Sequence, residues 1–191
     1  MKRNAALLFS LLAIAVLGLS LACSTSTSSS AKAVSQAQAT TATTAIGNGM
    51  DAVLSDESNW TVSQATGNVS DSVSGISMTG NVSATATSET MTISFVYSNF
   101  YDSTSGYTIN GTLNMTDNIT LSTGASTMTL KGNLTLSGTG PVSSLTINIT
   151  DSSTSSTSTS TVTGSVTCNN TTFDASTLGI NSSKSIKALR F

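Results

Sequence analysis

The 191-residue chain has no histidine and very little charge, with seven Lys or Arg and nine Asp or Glu making up only 8% of its residues. Without histidine there is no Ser-His-Asp or Cys-His constellation and no imidazole-based metal site. Cations are scarcer still through the body of the chain. Lys2 and Arg3 open it, Lys184, Lys187 and Arg190 close it, and only Lys32 and Lys131 lie between. A body with so few cations cannot neutralise a phosphate backbone, which excludes nucleic acid as a partner. A Ser-Lys dyad would have to use one of these few lysines, and none sits in a recognisable motif. The glycines alternate with strand residues instead of clustering before a helix, so there is no phosphate-cradling loop. The chain therefore reads as a non-enzyme that needs no cofactor and no metal.

What is present begins with the first 23 residues. Lys2 and Arg3 precede an uncharged apolar run from Ala5 to Ala22, broken only by Ser10, Gly18 and Ser20, and Cys23 follows. The run is short for a membrane span, which needs roughly 20 apolar residues with stopping charges beyond. Leu19-Ser20-Leu21-Ala22-Cys23 resembles the lipobox of bacterial lipoproteins in its relaxed form, with Ser20 where the commonest pattern has Leu. The resemblance implies that Cys23 is lipidated and becomes the first residue of the mature protein, anchored to a membrane. The competing reading is an ordinary secretory signal cut near Ala22. Ser24 stands where an inner-membrane retention signal would often carry Asp. By analogy this points to the outer membrane of a bacterial cell envelope.

The mature chain then carries five cations against nine carboxylates, and Cys168 is its remaining thiol. With Val166 and Thr167 before it, Cys168 fits a buried strand position, where a free cysteine acts as a small hydrophobe. Residues 23–30 form the anchor and a flexible Ser/Thr tether. Residues 31–56 predict a helix from their alanines and from Ile46, Met50, Val53 and Leu54 on one face. The threonines at 40–44 and Gly47-Asn48-Gly49 oppose it, so a kink or frayed end is expected near Gly47.

Over residues 57–183 the apolar period becomes two. Ile76, Met78, Val82 and Ala84 alternate with Ser and Thr, as do Tyr107, Ile109, Leu113 and Met115 with Thr and Asn. Met128, Leu130, Leu134 and Leu136 repeat the pattern, followed by Leu145, Ile147 and Ile149, then Val162, Val166 and Cys168. One buried and one wet face imply antiparallel strands, and short turns imply that sequence neighbours pair. Gly67, Gly80, Gly111, Gly132 and Gly164 each lie between apolar residues at −2 and +2. Glycines on the apolar face let strands bend or another element approach. The expected fold is mainly β: a curved antiparallel meander of about seven to nine strands, with the N-terminal helix packed on its apolar face. Residues 184–191 form a basic C-terminal tail, read as a last strand or a short docking helix.

Candidate sites are few. Eleven Asn-x-Ser/Thr triplets follow from alternation in an alphabet of Ser, Thr and Asn, and are not read as glycan acceptors. The carboxylates are scattered, most of them in or near expected turns. Phe95 and Tyr97 share the core parity, whereas Phe100 and Tyr101 are consecutive, so one of them must face out. Those two are the candidate recognition surface, and Cys23 is the candidate lipidation site. Three functions remain: an envelope or surface lipoprotein that binds a protein or glycan partner without catalysis, a carrier of an apolar ligand in a half-barrel-like cavity, or an enzyme using carboxylates.

Overall fold

The computed structural model describes residues 9–11, 15–16, 33–55, 61–63, 67–154, 160–178, 180–181 and 187–189. Cys23 and the Ser/Thr tether lie outside them. The chain begins with β1 (Phe9–Leu11) and β2 (Ala15–Val16), then forms α1 (Gln36–Leu54). A run of strands follows: β3 (Thr61–Ser63), β4 (Asn68–Val73), β5 (Ile76–Ala84), β6 (Ser88–Asp102), β7 (Tyr107–Thr120), β8 (Ala125–Gly138), β9 (Ser144–Ser153), β10 (Ser160–Cys168) and β11 (Thr171–Asp174). A 3-10 turn (Ala175–Leu178), β12 (Ile180–Asn181) and β13 (Lys187–Leu189) end it. β3 to β11 form one open nine-stranded antiparallel sheet in strict sequence order. β1 pairs with β13 and β2 with β12.

The helix runs unbroken through Gly47 to Leu54, so the frayed end expected near Gly47 is absent. Its start is a capping box: the Ser35 hydroxyl accepts from the Gln38 amide, and the Gln38 side chain accepts from the Ser35 amide at 2.9 Å. Together these satisfy two of the unpaired amides of the first turn. The threonines that oppose a helix on propensity return their hydroxyls to carbonyls one turn back: Thr41 to Ala37, Thr43 to Ala39 and Thr44 to Thr40, at 2.8–3.0 Å. Gly49 serves packing, whereas Gly47 faces open space. An added Cβ at Gly49 would stand 2.6 Å from Cε1 of Tyr97 and 3.1 Å from Cε1 of Phe100, so the bare backbone lets both rings lie against the helix. Apolar burial on that face outweighs the intrinsic cost of Gly in a helix, about 1 kcal/mol.

The core fills the space between helix and sheet. Ala39, Ala42, Ala45, Ile46, Met50, Val53 and Leu54 from α1 are buried. They share one apolar cluster with Met78, Phe95, Tyr97, Ile109, Leu113, Leu134, Leu145 and Val166. In the sheet, Gly80, Gly111, Gly132 and Gly164 occupy strands on the apolar parity. Gly67 does not: it lies in the turn before β4, because only its φ of +67° turns the chain there. Register shows why bulk is missing at the others. Gly164 is level with Ile149, Gly132 with Ile147 and Leu113, and Gly111 with Leu134 and Tyr97. The next irregularity along this oblique line is the bulge between Tyr97 and Phe100 in β6. Gly111 and Gly164 have φ of +126° and +106°, values closed to other L-residues, so the strands bend there. A line of glycines and a bulge crossing a sheet obliquely is how a sheet curls around its contents.

Candidate functional site

The bulge decides the fate of the aromatic pair. Ser98 and Asn99 together oppose Asn110, and the Asn99 amide donates to the Asn110 Oδ1 at 2.8 Å. One extra residue reverses the parity beyond it. Phe100 turns to the core side, edge-on to Tyr97 with ring centroids 5.9 Å apart, and Tyr101 turns outward with 61% exposure. The two therefore do not form one surface. Asp102 turns inward and accepts from Asn48 of the helix at 3.0 Å and from the Ser105 amide at 3.0 Å. Burial alone would raise its carboxyl, but the bonds from Ser105 and Asn48 outweigh it and hold the group below its ordinary value.

Six acids occupy strands of the sheet instead of turns: Asp71, Glu89, Asp102, Asp117, Asp151 and Asp174. Asp117 and Asp151 are buried on the apolar face, at register positions flanking Met128, and each has an Oδ1 without a hydrogen bond. Burial raises the Asp117 carboxyl, and the charge of Asp151 adds to the effect. Glu89 is raised the same way, by burial and then by Asp117. Their parity with Met115 and Ile149 was the available signal. Asp71 also lies in a strand, with an unbonded Oδ2. Among the described residues no group of three or more His, Cys, Asp or Glu can hold a metal ion. Cys168 is fully buried, and burial pushes its thiol up to about 11.

The opposite face carries the candidate site. A cleft of about 590 Å³ opens across β3 to β7, rimmed by Asn68, Ser70, Thr79, Asn81, Thr92, Ser94, Asn114 and Thr116. Thr61 and the apolar-parity residues Val69, Gly80, Ile93 and Met115 complete its lining. None of its lining side chains is charged. Asn81 donates to Asn68 Oδ1 at 2.9 Å, which fixes the outer wall. Such a cleft offers donors and acceptors without a field, so it suits an uncharged, hydrogen-bonding ligand and gives little to an ion. Neither the cleft nor its register is visible in alternation alone, because the lining comes from five strands.

The fold and its two faces define an open antiparallel meander with one helix closing its apolar side. No family model matches the chain, and no curated protein or solved structure matches it either. Among the described residues no helix is long and apolar enough to cross a membrane.

Proposed function

We propose that this protein is a lipid-anchored lipoprotein of the bacterial cell envelope, held in the outer membrane through Cys23, whose polar sheet face binds an uncharged partner without catalysis. The contrast between the two faces carries the binding half. Helix side chains from Ala39 to Leu54 pack on the apolar face over β4 to β7, whereas the polar face of the same strands is open and holds the cleft. A carrier of apolar cargo would need the first face empty. The anchor half rests on the cationic start, the apolar run and Ala22-Cys23. One acyl chain holds a protein only marginally, while two or more hold it stably, at about 0.8 kcal/mol per buried CH₂.

The test has two arms. Intact mass should show a mature chain beginning at acylated Cys23, and Cys23→Ala should release the protein or stall its processing. An unmodified soluble chain starting at Cys23 ends the anchor reading. A photo-crosslinking residue placed at Asn114, in the cleft, should capture an envelope component that the same residue at Ser137 does not. Equal capture at both positions ends the reading of the cleft as the binding site.

A further inference from the structure

Charge is segregated along the chain. All nine Asp and Glu lie between Asp51 and Asp174, so residues 23–50 and 175–191 contain no acid. Of the five cations that follow Cys23, four lie in those two stretches: Lys32 in the first, and Lys184, Lys187 and Arg190 in the second. The fifth, Lys131, is on β8. Folding brings the two stretches together. The Gln36 side chain, in the first turn of α1, donates to the Thr177 carbonyl in the 3-10 turn, and β12 packs beside that turn and β10. Lys32 is four residues before Gln36 and Lys184 is seven after Thr177, so both acid-free stretches leave the domain at one place. The surface there is uncharged: Ala33, Ser35, Gln36, Ala37, Ser176 and Thr177 are exposed. Asp174, directly before the 3-10 turn, is the acid that adjoins it in sequence.

We infer that this end of the domain, given the acylation of Cys23 proposed above, is a membrane-contact surface whose four cations meet anionic lipid headgroups. Ala33 lies ten residues after Cys23, and a chain of that length spans at most about 35 Å, so the acyl groups hold the start of α1 close to the bilayer. The bilayer is therefore the partner these cations meet at high effective concentration. The basic tail is released to reach it, because β13 pairs with β1 (Phe9–Leu11), which departs with the signal segment. Ile186, Leu189 and Phe191 lie among the tail cations, and apolar residues interleaved with Lys and Arg suit the boundary between headgroups and acyl chains. The remainder of the domain, nine acids against Lys131, is repelled by the same lipid, so the contact also orients the molecule. β10 and β11, which carry the 3-10 turn, then lie nearest the lipid, and the cleft across β3 to β7 lies away from it, open to its partner.

The test uses the mature chain on two kinds of vesicle, phosphatidylcholine alone and equimolar phosphatidylcholine and phosphatidylglycerol. With the acylated protein at low salt, trypsin should cut after Lys184 and Lys187 about tenfold more slowly on the anionic vesicles than on the neutral ones, and high salt should abolish the difference. With Cys23→Ser, which removes the acyl groups, the chain should still sediment with the anionic vesicles. Lys184→Gln, Lys187→Gln and Arg190→Gln together should weaken that binding about a hundredfold, at about fivefold per cation. Lys184→Arg with Lys187→Arg keeps the charge and should bind as the parent does. Equal cleavage on the two vesicles overturns the inference: fast on both, the tail touches nothing; slow on both, it docks on its own domain. Sedimentation with neutral vesicles as strong as with anionic ones, or anionic binding that the Gln variant retains, overturns it as well. Intact mass judges the anchor separately. An acylated Cys23 without charge-dependent binding leaves the anchor standing and ends the contact surface, whereas an unmodified Cys23 with such binding does the reverse.

Discussion

The Tyr97 hydroxyl donates a 2.7 Å hydrogen bond to the Ile46 carbonyl, tying the middle of the sheet to the middle of the helix. The bond forms because Gly49 leaves room for the ring, and it satisfies a phenol that is otherwise in an apolar cluster. Burial raises the Tyr97 ionisation far above its ordinary value, with the charge of Asp51 adding to it, so the hydroxyl remains a donor at every physiological pH. Tyr97→Phe should cost about 1 kcal/mol. Gly49→Ala should cost about 1–3 kcal/mol through overpacking against Tyr97 and Phe100, although alanine is the better helix former. Urea denaturation of both variants measures this; an Ala variant as stable as the parent refutes the docking role of Gly49.

Gly132 tests the curl of the sheet. A Cβ there would fall well inside contact distance of the Thr112 carbonyl oxygen and 2.9 Å from the Leu113 side chain. Gly132→Val should destabilise by roughly 1–3 kcal/mol, against valine's strand propensity. Thr135→Val, at an exposed position three residues on, should be nearly neutral. Equal melting temperatures for the two variants would remove the packing argument.

Asp117 should make the protein more stable in mild acid. Its folded value lies above its unfolded one, because burial first and Asp151 second disfavour the charge. The folded state thus binds the proton more tightly. The extra stability is fully present below the ordinary carboxylate value and is lost as pH rises through the raised one. Asp117→Asn should flatten that slope and raise stability at pH 7 by about 1–2 kcal/mol, by removing a buried unpaired charge. Thermal melts across the acid range, parent against variant, read the effect; parallel profiles would count against it.

Asn169 latches the β8–β9 connection to the end of β10. Its Oδ1 accepts from the Ser143 amide at 2.9 Å, the Ser143 hydroxyl at 3.0 Å and the Ser144 amide at 3.1 Å, while its Nδ2 donates to the Pro141 carbonyl at 3.1 Å. Asn169→Ala should cost about 1–3 kcal/mol, since the amides it satisfied lose their partner. It should also speed hydrogen exchange at the Ser143 and Ser144 amides. Unchanged exchange there would show that the latch is dispensable.

Cys168 should be inert while the protein is folded. Its thiol is buried and pushed up to about 11, so little thiolate exists at neutral pH and none is accessible. A maleimide should label it only in denaturant, and labelling of the native protein at the unfolded rate would contradict its place in the core.

Alternation made the meander legible before any coordinates. Apart from the bulge in β6, the apolar residues of each strand from β5 to β9 keep a period of two, and period is a local property that burial of one face imposes on every strand. Three features were not legible. Gly47-Asn48-Gly49 reads as a helix break because propensity counts backbone entropy alone, yet Gly49 admits Tyr97 and Phe100 and Asn48 bonds Asp102. Phe100 and Tyr101 exchange faces because a bulge inserts one residue, and alternation cannot show where pairing slips. Asp117 and Asp151 read as turn formers by residue type, although their parity placed them inward.

Residue order was therefore enough for the two-faced strands, the single helix, their succession and the near absence of charge, because each follows from neighbours a few positions apart. The cleft at Gly80, the Tyr97–Ile46 bond between sheet and helix and the oblique line of bends arose only on folding. They depend on register between strands separated by tens of residues, and register is settled by the whole core packing at once.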